Sequence, residues 1–360
     1  MWAATESNEL LRNDEIRSRP CPTCYVCGNF GTDLYQRTRD RLFNATGSWT
    51  LKRCANSECG LVWLDPKPLD KDISKAYKGY YTHRQVSEPD RRQRCRKLLR
   101  FVYRQVKSNY LAHKYGYDFG LKAPLNFIVG RLMYLFPGRR ASVDFGALYL
   151  PAKLEGHLLD VGCGTGELLK GMQALGWQTE GVDFDPAAAR NARSKGLKVH
   201  VGSLEEQKFA DSTFDAVTMS HLIEHVPDPV TLLRECYRLL KSGGYLVIIT
   251  PNVNSWGHRL YRTDWRGLEP PRHLHIFAPA PLRAVLLEAG FHKVQMSTTI
   301  RAADFYFISS RELQRAGTSE MGVRYRWTVR LWGRAMAMLE WARLMFNSQV
   351  GEEIAVLAQK

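Results

Sequence analysis

The chain has no run approaching the roughly 20 consecutive apolar residues that a membrane-spanning helix requires. Its opening stretch, MWAATESNELLRNDEIRSRPCPTC, lacks the apolar core behind basic residues that marks a secretory leader. Together these absences point to a cytoplasmic protein. No internal repeat and no low-complexity tract is present, so neither a repeat array nor a biased tail is expected. Acidic residues are the scarcer charge: 36 Asp and Glu stand against 51 Lys and Arg, a formal net charge of +15. With 44% hydrophobic and 24% charged residues the composition is that of an ordinary folded protein, and 360 residues suffice for one large or two modest domains.

The excess charge is uneven. Residues 1–150 hold 26 Lys and Arg against 14 Asp and Glu, residues 151–300 balance at 16 of each, and the last sixty carry 9 against 6. Basic flanks beside a neutral centre suggest an anionic partner, whether RNA, anionic lipid or a phosphorylated acceptor. Cysteine is clustered too, with five of the eight between residues 21 and 59. In a reducing compartment that pattern favours a metal over disulfides. Cys24-x2-Cys27 and Cys54-x4-Cys59, each followed by a glycine (Gly28, Gly60), outline a zinc ribbon within residues 20–82. Four thiolates leave no open coordination position, so a structural Zn²⁺ is expected, one that holds the fold and does not catalyse. Cys21 forms a second Cys-x2-Cys pair with Cys24, which leaves open which thiols close the site.

Residues 83–140 read as a basic helical linker or cap. Arg91, Arg92, Arg94, Arg96, Lys97, Arg100, Arg104 and Lys107 accompany Leu98, Leu99, Phe101, Val102 and Val106 at near-helical spacing. The spacing predicts an amphipathic helix with a strongly basic face. Further on, APLNFIVGRLMYLFPGRR is apolar for about a dozen residues, too short to span a bilayer.

From about residue 141 strand and helix signals alternate, which predicts an α/β fold with a parallel sheet. HLLDVGCGTG is an apolar strand running into a glycine turn, QTEGVDFD a second strand, and FDAVTMSH and GGYLVIITPN two further buried strands. The turn, Gly162-x-Gly164-x-Gly166, departs from the dinucleotide fingerprint, whose last glycine comes three residues on. Asp160 precedes it, and a carboxylate there suits an ammonium better than a pyrophosphate. Asp183, at the end of the next strand, can accept both hydroxyls of a ribose. The ligand implied is S-adenosylmethionine, which carries an amino-acid group, a sulfonium and a nucleoside.

Residues 155–300 resemble the class I S-adenosylmethionine-dependent methyltransferases, through LLDVGCGTGELL, GVDFDP, FDAVTMSHLIEHVPDP and LKSGGYLVIITPN. With CPTCYVCG, CANSECGLVWLDPKP and WRGLEPPRHLHIF added, the whole chain is similar to a subgroup with an N-terminal zinc ribbon. The resemblance implies a Rossmann-like seven-stranded sheet in residues 141–360, with a helical insertion around 301–350 and KVQMSTT and EEIAVLAQK as its last two strands. It implies that the glycine turn wraps the methionine part of the cofactor and that Asp183, with Phe184 beside it, holds the ribose. Ser203 and Leu204 of VGSLEE would meet the adenine, Ser203 standing where many relatives have an aspartate.

HLIEH, residues 221–225, matches the inverted zinc-protease signature, but metal binding of that kind needs both histidines on one face of a continuous helix. Pro227 and Pro229 leave only about one turn before the register is interrupted. In the methyltransferase layout these residues lie past the fourth strand, where ligands gather. His221 would flank the cofactor, and Glu224 and His225 would border the acceptor pocket. Methyl transfer from a sulfonium is an in-line displacement that needs a base when the nucleophile is a hydroxyl. His225 is the first candidate base and His273 the second. Arg272 reads as a clamp for a phosphate or carboxylate, Trp265 as a surface for a ring or sugar. Arg326, Arg330 and Arg334 mark a helix expected to form a lid over the acceptor.

No NPPY-like tetrapeptide follows the fourth strand, which disfavours adenine N6 methylation, and neither Cys163 nor Cys236 is placed as the nucleophile of pyrimidine C5 methylation. The expected activity is O-methylation of a small-molecule, quinone or saccharide acceptor, anionic or lipid-linked, with peripheral contact to a membrane surface. An RNA methyltransferase and a non-catalytic module that retains the cofactor fold are the alternatives. Few aromatics interleave the basic residues, which weighs against nucleic acid.

Overall fold

The computed structural model describes residues 15–77, 95–120, 125–319 and 325–360. Strand β1 (Ser18–Arg19) pairs with β5 (Lys67–Pro68), while β2 (Gly31–Thr38), β3 (Trp49–Cys54) and β4 (Val62–Leu64) form an antiparallel sheet. The two cysteine knuckles sit at its end. Gly28 and Gly60 have φ of +74° and +67°, the left-handed turn that each knuckle requires.

Helices α1 (Cys95–Tyr115), α2 (Leu125–Arg131) and α3 (Pro137–Gly146) follow. Arg91, Arg92 and Arg94 lie outside the described residues, as do the side chains of Arg96, Lys97 and Leu98. The buried face of α1 differs from the expected one, since Leu99, Phe101 and Val102 are exposed whereas Asn109, Tyr110 and Leu111 are buried. The cause is a polar anchor at the other end of the helix. Buried Asp144 accepts from the hydroxyls of Tyr110 (2.7 Å) and Tyr115 (2.8 Å) and from Lys114 (2.9 Å), drawing in the C-terminal half of α1.

The main sheet contains β6 (His157–Val161), β7 (Gln178–Asp183), β8 (Lys198–Val201), β9 (Phe214–Ser220), β10 (Leu240–Pro251), β12 (Lys293–Thr299) and β13 (Glu353–Gln359). Their spatial order is β12-β13-β10-β9-β6-β7-β8, and every neighbouring pair is parallel except those made by β13. This is the seven-stranded, Rossmann-like sheet expected, with KVQMSTT and EEIAVLAQK as its last two strands. All residues of β9 but the last are buried, as a strand covered by helices on both faces must be. The order reverses between β6 and β9, the point at which such sheets bind ligands.

Helices α4 (Glu167–Gln173), α5 (Pro186–Ser194), α6 (Pro229–Leu239), α7 (Trp256–Tyr261), α8 (Pro279–Glu288), α9 (Ala303–Ala316) and α10 (Trp327–Leu344) complete the fold. Asp185 caps α5 by accepting from the Ala187 N–H (2.8 Å), and Pro186 takes the first helical position. A short strand, β11 (His275–Ile276), leaves the loop after β10 and pairs with β4, so the sequence RHLHIF closes the ribbon sheet. Helix α10 packs on α9, where Gly333 meets Ile308. Among the described residues no helix is long and apolar enough to cross a membrane.

Candidate active site

Val161 leaves the sheet into a turn whose glycines all have positive φ: +74° at Gly162, +54° at Gly164 and +79° at Gly166. Their surroundings differ. A Cβ on Gly166 would stand 2.2 Å from Leu197 and one on Gly162 3.0 Å from Leu222, whereas at Gly164 nothing lies within 4 Å. The outer two glycines permit close packing, and the middle one faces open space. Asp183 anchors that middle glycine, its two oxygens accepting from the Gly164 N–H (2.7 Å) and the Asp185 N–H (2.8 Å). Each carboxylate oxygen retains a lone pair for a further donor. Asp160 is buried beneath the turn and accepts from the Thr218 hydroxyl at 2.8 Å. Burial pushes its carboxyl up to about 7, and the nearby Asp183 charge adds to the rise. A cation above the turn would reverse that shift.

A cavity of about 550 Å³ opens beside this turn. Gly162, Asp183, Phe184, Ser203, Leu204 and His225 line it, bringing together residues from four separate stretches of the chain. Asp160, Gly164, Gly166, His221, Glu224 and His273 are not on its wall. The opposite side comes from the 3-10 segment Asp70–Tyr77, which contributes Ile73, Ser74 and Tyr77. The Tyr77 hydroxyl lies 3.0 Å from His225 Nδ1 and its ring meets Phe184 edge-on at 5.5 Å. Nothing in the spacing of DKDISKAY marks Tyr77; it reaches the cavity because the ribbon docks on the main sheet.

HLIEH does not form a helix with two histidines on one face. His221 has φ +53° and only Ile223–His225 make a 3-10 turn. His225 Nδ1 lies 3.0 Å from the Arg272 carbonyl, which can only accept, so Nδ1 carries the proton and Nε2 the lone pair. Burial lowers the pKa of this imidazole and keeps it neutral. His273 stands behind it at 4.7 Å between ring centres, and donates Nδ1–H to the Gly267 carbonyl (2.8 Å). Burial holds His273 down to about 4. Glu224 is fully buried and accepts from Thr250 at 2.9 Å. Burial opposes its ionisation, yet the His221 hydrogen bond and the surrounding imidazoles bring it to about 2. One donor atom each from Glu224, His225 and His273 fall within 4.8 Å of one another, a group compact enough to hold a metal ion.

Four expectations require correction. His221 is not on the wall of this cavity but lies between two carboxylates, 3.0 Å from Glu353 and 3.4 Å from Glu224, bracing the end of β9 against β13. Burial opposes its charge, but these carboxylates raise it to about 9, so it is an imidazolium at neutral pH. Arg272 is not a ligand clamp: it is wholly buried, with Asp40 at 2.8 Å on two nitrogens, Glu269 at 2.8 Å and the Ala76 carbonyl at 3.0 Å. Trp265 is not on the wall of this cavity; it is 2% exposed, donates to Glu352 at 2.7 Å and stacks on Tyr306. Nor does α10 close over the cavity, to whose wall it contributes no residue; Arg326, Arg330 and Arg334 point outward.

Away from this cavity, Cys24, Cys27, Cys54 and Cys59 place their sulfurs within 4.8 Å of one another, with Cys24 and Cys59 3.7 Å apart and Cys27 and Cys54 3.3 Å. Sulfurs around a tetrahedral zinc, each about 2.3 Å from the metal, stand at similar separations. Cys21 is outside the group; its N–H donates to Asp65 at 2.7 Å and its carbonyl accepts from Trp63.

The family model of a methyltransferase domain matches residues 138–296. The ubiquinone biosynthesis O-methyltransferase of Alkalilimnicola ehrlichii is 41% identical over 109 residues, 28% of this chain and 44% of that protein. The protein of the same name from Xanthomonas axonopodis pv. citri is 40% identical over 165 residues, 41% of this chain and 69% of that one. The chain spans about half the length of the first curated relatives it matches. A solved S-adenosylmethionine-dependent methyltransferase from Thermotoga maritima is 22% identical, with a TM-score of 0.43, over 65% of this chain and 96% of the other.

Proposed function

The chain belongs to the class I S-adenosylmethionine-dependent methyltransferase family, and from that premise we propose that it O-methylates a small-molecule acceptor of the quinone-precursor type. The observation that carries this reading is a single cavity whose wall includes Gly162 and Asp183 from the candidate donor site together with the candidate base, His225. Bound S-adenosylmethionine would supply an electrophilic methyl on a sulfonium. The residues present fit it: open space over Gly164 admits the methionine part, Asp160 beneath favours its ammonium, and Asp183 has lone pairs left for the ribose hydroxyls. Ser203 and Leu204 then border the adenine.

His225 enters the reaction neutral, with Nδ1–H fixed on the Arg272 carbonyl and Nε2 able to take the hydroxyl proton of the acceptor. Glu224 and His273 stand behind it as positioning groups. Two residues of the expected site thus act through a third. Relatives named for ubiquinone biosynthesis support a phenolic acceptor with an apolar tail. Peripheral contact with an anionic membrane suits such an acceptor, and the surface of α1 and α2 fits it: Leu99, Phe101 and Ile128 are exposed beside Arg100, Arg104 and Arg131.

The test is calorimetry with S-adenosylhomocysteine. Asp183→Ala is expected to remove measurable binding while the protein still unfolds cooperatively at a modestly lower temperature, since two backbone N–H groups lose their acceptor, and unchanged affinity would overturn the assignment. The four-cysteine group is proposed to hold one structural zinc. Metal analysis of the purified protein should give about one equivalent, lost in Cys54→Ser.

A further inference from the structure

A second cavity, about 640 Å³, opens between the ribbon strands β2 and β3 and the segment around α7. Its wall holds Tyr35, Arg53, Asn254, His258, Arg259 and Arg262 and no carboxylate. It shares no residue with the cavity of the glycine turn. Elsewhere the buried guanidiniums are matched by acids, Arg272 by Asp40 and Glu269, Arg301 by Glu353. Here three guanidiniums, that of Arg53 half-buried and those of Arg259 and Arg262 exposed, face one space, and among the described residues none of them has an acidic partner within ion-pair distance. Arg53 goes further, since its Nε is buried without a hydrogen-bond partner. A buried donor left unpaired is rare in folded proteins and marks a place that a ligand or water completes.

The neutral groups in the cavity are arranged around this positive field. His258 Nδ1 lies 2.6 Å from the Val253 carbonyl and donates to it, so Nε2 accepts the proton of the Tyr35 hydroxyl at 3.0 Å. The imidazole is kept neutral, held to about 4 by burial and further by the charges of Arg53 and Arg259. Leu34 and Val253 provide the apolar part of the lining. The volume lies within the range of about 300–1,000 Å³ typical of small-molecule sites.

We propose that this cavity is a binding site for a phosphorylated ligand, with two linked phosphoryl groups as the anion that matches its three guanidiniums. Arginine forks pair with carboxylate or phosphate, but three of them, Arg53 on the ribbon side and Arg259 and Arg262 on the α7 side, need oxygens presented in several directions, which tetrahedral phosphoryl groups supply and a planar carboxylate does not. The side chains of Tyr35 and Arg53 make the ribbon part of a ligand site as well as a structural module. The inference stands on this cavity alone and does not depend on the reading of the methyl-donor cavity.

Titration of the full chain with inorganic diphosphate tests it. Saturable binding, tighter than that of inorganic phosphate, is expected, and Arg53→Gln and Arg259→Gln should each weaken it by about tenfold or more. Arg334→Gln, an exposed position on α10, should leave it unchanged, and S-adenosylhomocysteine affinity should be the same in all of them. By NMR the His258 titration midpoint should rise on adding diphosphate, because the anion offsets the guanidinium field. A methyl diphosphate ester that binds more tightly than the inorganic ion would identify an organic diphosphate as the ligand; equal affinity would identify the free anion. No saturable binding, or an equal loss in Arg334→Gln, would overturn the proposal. Should Arg53→Gln fail to bind S-adenosylhomocysteine and so prove misfolded, the exposed Arg259→Gln decides.

Discussion

The floor and the roof of the cavity beside the glycine turn are built in opposite ways. The floor is local: Asp183 reaches Gly164 and Asp185, nineteen and two residues away, and the strand–turn–strand unit from β6 to β7 contains every atom involved. The roof is assembled from distant chain. Tyr77 meets His225 across 148 residues, and Asp40 holds Arg272 across 232. A local unit can carry donor recognition on many backgrounds, because its geometry follows from a short sequence. The roof exists only when ribbon, loop and main sheet have docked, so a substitution there should reach stability before it reaches chemistry.

Arg272→Ala gives the largest expected break. It strands Asp40 as a buried carboxylate without its guanidinium and leaves Glu269 with Arg266 alone, and removing one partner of a buried ion pair costs about 3–5 kcal/mol. Urea unfolding measures this directly. A loss below about 1 kcal/mol, within the range of a surface pair, would show that the roof does not hang on this network. Asp183→Ala on the floor should show a different pattern, with S-adenosylhomocysteine binding gone and a smaller loss of stability, about 1–3 kcal/mol for the backbone N–H groups left without their acceptor.

His225→Gln is next, with kcat expected to fall by about 10²–10⁴ while the acceptor KM moves less. The pH profile sharpens the assignment. Burial lowers the His225 pKa below the ordinary histidine value, and a base works only when unprotonated. Turnover should therefore persist into mildly acidic solution and fall only as pH drops through that lowered value. A kcat that rises only above about pH 7, past the unperturbed histidine range, would remove His225 as the base.

The same contrast explains what could be read in advance. The left-handed glycine turn and the alternation of strands were legible because each depends on short-range rules: positive φ at glycine and apolar runs of strand length. The four cysteines were legible for the same reason. Arg272 and Trp265 were misread as ligand contacts because their partners, Asp40 and Glu352, are remote in sequence, and a polar residue in a loop looks identical whether it awaits a ligand or a buried acid. The exposed face of α1 was misjudged because Asp144, thirty-four residues beyond Tyr110, decides which half of the helix docks. Tyr77 carried no signal at all.

Tyr77→Phe is the smallest and most diagnostic change. Its hydroxyl touches His225 Nδ1, a nitrogen already satisfied by the Arg272 carbonyl, so losing it leaves that nitrogen paired. A net hydrogen bond of this kind contributes about 0.5–1.5 kcal/mol, which converts to at most about a tenfold fall in turnover if all of it orients the imidazole in the transition state. The phenyl ring still packs on Phe184, so S-adenosylhomocysteine affinity should be unchanged and unfolding should move by less than about 1.5 kcal/mol. Steady-state kinetics beside calorimetry separates the outcomes. A fall in kcat alone places the ribbon segment in the orientation of the base, whereas a fall in donor affinity with kcat intact would make Tyr77 part of the floor and erase the division between the two halves.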